Sequence, residues 1–91
     1  MIVREVTILN KQGLHARPAT ALVNTASTFK SDIFISREDK KVNGKSILGL
    51  LVLAAEHGAK LTIEAAGPDE NEAVNALIAL VEDHFGMGKN S

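Results

Sequence analysis

The residues best suited to chemistry stand together near the N-terminus, in "NKQGLHARPAT", residues 10–20. His15 is followed by Ala16, Arg17 and Pro18, and then by an apolar rhythm of helical spacing. An imidazole can act as a nucleophile near neutral pH. Here it falls at the N-cap of a helix, where the unpaired N–H groups of Ala16 and Arg17 and the positive end of the dipole make an anion site. Arg17 adds a permanent cation whose planar fork matches phosphate oxygens. Pro18 belongs to the first turn, where a missing N–H costs little and a fixed φ helps start the helix. A phosphoryl group on His15 would meet both the dipole and the guanidinium, which stabilise its charge without hiding it from the next acceptor. A lone histidine is more often structural or merely exposed. Only the conjunction of the three features points to chemistry.

The other candidates are weaker. "GKS" at Gly44–Ser46 looks like the end of a phosphate-binding loop, but that motif needs a glycine five residues before its second one, and Asp39 stands there. The chain is also short for a nucleotide-hydrolysing domain. His57 and His84 read as ordinary residues, with His84 placed in the last turn of a helix, where partial positive charge is favoured. The histidines lack metal-ligand spacing and cysteine is absent, so neither a metal site nor a disulfide framework is expected. No cofactor is expected either.

A scaffold for the histidine helix is visible in the pattern. "IVREVTIL" reads as a strand, with Val6 and Ile8 inward and Glu5 and Thr7 outward. From Ala16 to Phe29, the residues Ala19, Leu22, Val23, Ala26 and Phe29 make one helical face. "DIFIS" is a second strand, "REDK" a charged turn and "KKVN" a short third strand. "GKSILGLLVLAAEHG" reads as a helix capped by Ser46 and stopped at Gly58. If Leu50, Leu53 and Ala54 face the core, Leu48, Leu51 and Val52 point away, and a small domain then shows an aliphatic patch suited to a partner. "AKLTIEAA" alternates, with Leu61, Ile63 and Ala65 on one side, as an antiparallel strand with one wet face does. "GPDENEAVNALIALVEDHFG" is the clearest helix. Asp69 and Glu72 make an acidic variant of the capping box, Val74, Leu77, Ile78, Val81 and Phe85 form the buried stripe, and Gly86 ends it. The order β-α-β-β-α-β-α predicts an α+β fold, a four-stranded sheet with three helices on one face.

Composition bounds the function classes. The 91 residues suffice for one small domain, expected over 1–88 with a frayed tail at 89–91, and at 45% apolar and 3% aromatic its core must be aliphatic. Ten basic and eleven acidic residues give a net charge of −1, no footprint for nucleic acid or an acidic membrane surface. Three Phe without Trp or Tyr leave no stacking platform for single strands. The longest apolar run, "ILGLLVLAA", is far short of a membrane span, and "MIVREVTILN" carries charges inside its apolar stretch, so no signal peptide is read and a cytoplasmic location is expected.

"GLHARPA" at 13–19 and "VNGKSILGLLVLAA" at 42–55 resemble the two signature regions of the HPr family, the histidine-containing phosphocarriers of the bacterial phosphoenolpyruvate:sugar phosphotransferase system. "DENEAVNALIALVEDHFG" is similar to that family's C-terminal helix, so the resemblance covers residues 2–86. It implies an open-faced β-sandwich and a monomer that is not itself an enzyme. His15 would take phosphate on Nδ1 from enzyme I and pass it to sugar-specific IIA domains or proteins. Arg17 would neutralise the phosphate, with the Ala16 and Arg17 backbone amides around it. Ser46 would be the target of a regulatory serine kinase/phosphorylase. Thr20, Ile47, Leu48 and Leu51 would be docking surface; Leu48 and Leu51 stand where many relatives carry the more adaptable methionine. Two other readings stay open: a nitrogen-related phosphocarrier with regulatory output, and a regulatory binding module without phosphotransfer, although the family's regulatory paralogue lacks the histidine present here.

Overall fold

A computed structural model of the chain describes residues 1–87. Four strands form one sheet: β1 (Ile2–Thr7), β2 (Asp32–Arg37), β3 (Lys40–Asn43) and β4 (Lys60–Ala66). Three helices, α1 (Ala16–Ala26), α2 (Ile47–Val52) and α3 (Glu70–Glu82), fall between and after them, and a single 3-10 turn, His84–Gly86, follows α3. The sheet is antiparallel in the order β1-β4-β2-β3. Val6 pairs with Leu61 and Ile35 with Ile63, so the apolar residues of neighbouring strands share one face. That register follows from the two-residue period of the strands, because a slip by one would turn the whole apolar set to solvent.

The helices cover that apolar face. Ile8, Leu22, Ile33, Ile35, Leu50, Leu61, Ile63, Leu77 and Val81 are fully buried between the layers. Burying each such side chain contributes roughly 1.5–3 kcal/mol before the entropy of ordering is counted. The other face of the sheet stays open. There Lys41 pairs with Glu64 at 2.9 Å and lies 5.1 Å from the Phe34 ring centroid, so its stem and charge shield part of the exposed aromatic. A cavity of about 140 Å³ beside this pair is lined by Met1, Asp32, Phe34, Lys41 and Glu64 and lies on the face away from the helices.

Four expectations are corrected. Asp69 is the N-cap residue of α3 but makes no capping hydrogen bond, so the box with Glu72 does not form. Its carboxylate instead accepts from the N–H groups of Lys30 and Ser31, at 2.8 and 2.9 Å, and from the Ser31 hydroxyl, pinning the turn before β2. α2 stops at Val52 rather than near Gly58. Ala54 adopts a left-handed φ of 50° and is exposed, and Arg37 donates to the carbonyl oxygens of Leu53 and Ala54 at 3.1 and 2.7 Å, capping the chain end that a longer helix would have used. α1 ends at Ala26, and Phe29 packs on the core from the turn beyond it. His84 leaves α3 for the 3-10 turn, with φ 53°. The frayed tail expected at 89–91 lies outside the described residues.

Candidate functional site

The chain reaches His15 through a short, braced loop. Leu14 N–H donates to the Ala55 carbonyl at 2.8 Å, which fastens the loop to the segment just past α2. Gly13 makes this approach possible. Its φ is +74°, and a Cβ there would collide with the Ala55 carbonyl oxygen and the Glu56 backbone. Ala55 is available because Ala54 turns the chain out of helical geometry, and Arg37 holds that turn through the two carbonyls and a 2.6 Å ion pair with Glu56. This pair holds the exposed Glu56 carboxyl below its usual range, chiefly through the Arg37 hydrogen bond.

His15 is the N-cap of α1, with extended backbone (φ −88°, ψ −169°). Its carbonyl accepts the first helical bond from Ala19 at 3.0 Å, while its side chain makes no capping bond and is left for other chemistry. The ring is half-buried, and of its two nitrogens only Nε2 is sealed from solvent without a partner. Ala16 and Arg17 hold the first two helical N–H groups, which no carbonyl one turn back can satisfy. The Arg17 guanidinium is exposed and has no hydrogen-bond or ion-pair partner among the described residues, so it is free to meet an anion. Pro18 is buried in the first turn, as its fixed φ allows. Thr20 lies on the exposed side of α1 and spends its hydroxyl on the Ala16 carbonyl, 2.8 Å away.

The second cluster is α2. Ser46 accepts from Gly49 N–H at 3.1 Å as an N-cap, and Leu50 and Leu53 are buried. Ile47, Leu48, Leu51 and Val52 are exposed, Leu48 by 77% and Val52 by 59%. The patch expected from helical angles is therefore present, and Val52 belongs to it. His15 adjoins the chain just past the C-terminal end of α2, and Ser46 caps the other end, so the apolar patch lies between them along about 9 Å of helix. The structure does not place His57 or His84 in this arrangement, and among the described residues no His, Asp and Glu cluster could hold a metal ion. Gly13 and Arg37, which brace the loop before His15, were not legible as functional. Only Gly13, a glycine two residues before His15, left a sequence signal.

An imidazole at a helix N-terminus, beside an exposed apolar face, is an arrangement suited to a carrier that presents a group to larger partners. The comparisons agree. The family model described as the PTS HPr component phosphorylation site matches residues 2–83. The phosphocarrier protein HPr of Neisseria meningitidis serogroup A is 45% identical over 89 residues, covering 98% of this chain and 100% of that protein. The crystal structure of HPr-C-His from Thermoanaerobacter tengcongensis has a TM-score of 0.93 at 45% identity, covering 97% of this chain and 99% of that one. Crh of Bacillus subtilis, a catabolite repression protein solved as a domain-swapped dimer, has a TM-score of 0.74 at 44% identity over 92% of this chain and 97% of its own. The chain belongs to the HPr family, the phosphocarriers of the phosphotransferase system, which act as phosphoryl donor and acceptor and are not themselves enzymes.

Proposed function

We propose that this chain carries phosphate on His15, taking it from enzyme I and passing it to IIA domains or proteins. The observation that supports this reading is the setting of His15: it is the N-cap residue of α1, its side chain makes no capping bond, and Nε2 is sealed in the protein without a partner. In the forward step the Nδ1 lone pair attacks phosphorus, Nε2 carries the ring proton, and the electron pair of the broken bond stays with enzyme I. The α1 amides of Ala16 and Arg17 and the Arg17 guanidinium stabilise the oxygens of the transferring group. Because these groups sit at the surface, the second transfer needs no rearrangement of the carrier. Thr20, Ile47, Leu48 and Leu51 form the docking surface, and the same exposed face serves both partners in turn.

Ser46 is the regulatory position in this reading, open to a serine kinase/phosphorylase. Its hydroxyl caps α2 and borders the apolar patch, where a phosphate dianion makes docking costly. The protein acts in the cytoplasm as a monomer. No helix among the described residues is long and apolar enough to cross a membrane. Sedimentation should give a one-chain mass, and a two-chain mass at micromolar concentration contradicts the monomer. The presence of His15 favours phosphate carriage over a purely regulatory binding role. Incubation with phosphoenolpyruvate and enzyme I should add an acid-labile, alkali-stable phosphate that His15→Ala abolishes while leaving the fold intact. Equal labelling of the variant removes His15 from the mechanism.

A further inference from the structure

One buried side chain in the loop before His15 is not used by the phosphotransfer step. The backbone bonds of Ile8 to the Gly58–Ala59 segment end the sheet-like pairing, and the next anchor is Leu14. Between them Leu9, Lys11 and Gln12 are exposed, whereas Asn10 is fully buried. The Asn10 carbonyl accepts from Gly13 N–H at 3.0 Å and closes the turn. Its side-chain Nδ2 donates to the His84 carbonyl oxygen at 3.4 Å, joining two points 74 residues apart. The amide nitrogen is the atom that must face a carbonyl, since Oδ1 there would repel it. Oδ1 is itself buried with no partner among the described residues.

This arrangement is a poor choice for stability alone. A buried amide with part of its hydrogen-bonding capacity unused is less favourable than an apolar side chain of the same shape. His84, whose carbonyl it reaches, and the next residue, Phe85, both sit at positive φ, 53° and 55°, where non-glycine residues are strained, and Phe85 is packed in the core. The His15 ring makes no capping bond, so its aim depends on the backbone that carries it. We propose that Asn10 is a positioning residue for His15: through the His84 carbonyl it locks the loop onto the C-terminal turn and fixes the direction of the imidazole. The inference rests on the phosphocarrier reading.

The test compares wild type, Asn10→Ala and Asn10→Asp, the last keeping the shape but losing the donor. Steady-state phosphorylation by phosphoenolpyruvate and enzyme I is measured beside thermal unfolding. In each variant that folds, kcat should fall about tenfold. KM should stay unchanged, because the α2 docking face is untouched. A folded variant that transfers at the wild-type rate, or changes KM alone, overturns the proposal. In the unmodified sequence, the Asn10 side-chain amide resonance should shift when His15 is phosphorylated, and a fixed resonance overturns the proposal even where neither variant folds. A wild-type protein that takes no label overturns the phosphocarrier reading and this inference with it.

Discussion

Replacing Arg17 by Ala separates its chemistry from its structural role. The side chain is exposed and touches no partner among the described residues, so its loss should change stability by less than about 0.5 kcal/mol. In the proposed mechanism the same change removes the cation that meets the transferring phosphate, and it should slow transfer to and from His15 at least about tenfold. Rapid-quench kinetics in both directions measures this, and unchanged rates would take Arg17 out of the mechanism. The positions of His15 and Arg17 were legible in the sequence because a cap and a first turn are set locally. Asn10 and Asp69 were not. Asn10 reaches His84 and Asp69 reaches Ser31, partners far along the chain that no spacing rule reveals. Asp69 was read as a cap for its own helix, but two backbone N–H groups and a hydroxyl outside that helix bind it instead.

At the scale of elements, α2 carries two opposite surfaces and should respond to substitution accordingly. Leu50→Ala empties a fully buried site and should cost roughly 2–5 kcal/mol. Leu48→Asp, at a position 77% exposed, should leave the melting temperature nearly unchanged but raise the Kd for enzyme I on the order of tenfold or more. Calorimetry and binding titration check the pair, and a large loss of stability in Leu48→Asp would mean the face is core. Ser46 gives a matching contrast. Ser46→Ala loses the bond to Gly49 N–H and should cost about 1 kcal/mol. Ser46→Asp can keep a cap, yet only Asp should slow phosphorylation of His15, with partial recovery in added salt. Equal rates for the two would leave Ser46 as a cap alone. The patch was legible because angles around a helix are fixed. The length of α2 was not, since Arg37 and the left-handed Ala54, rather than Gly58, end it.

The whole molecule should lose stability in acid for reasons that can be assigned. Asp69 is held down to about 2 by the Ser31 hydroxyl and then the Lys30 N–H, and Glu56 and Glu70 are also lowered, Glu70 chiefly by the Gly67 N–H. A carboxyl lowered in the folded state contributes stability that is present above its unfolded value near 4 and is lost as pH falls through its folded value. The melting temperature should therefore drop between about pH 4 and 2. Asp69→Asn should melt below wild type at pH 7, with the gap closing near pH 2; a constant gap would contradict the assignment. The layer arrangement was legible at this scale because strand alternation and helix periodicity each name a buried face, and helices stacked on one side of a sheet bury them all; the strand order β1-β4-β2-β3 was not. That stacking leaves the half-buried His15 imidazole at the start of α1 with its Nε2 sealed. Long-range proton–nitrogen spectra of the protein phosphorylated by enzyme I test this most directly: the account predicts phosphorus coupling to Nδ1 of His15 with Nε2 protonated, and phosphate on Nε2, or on any other residue, would contradict it.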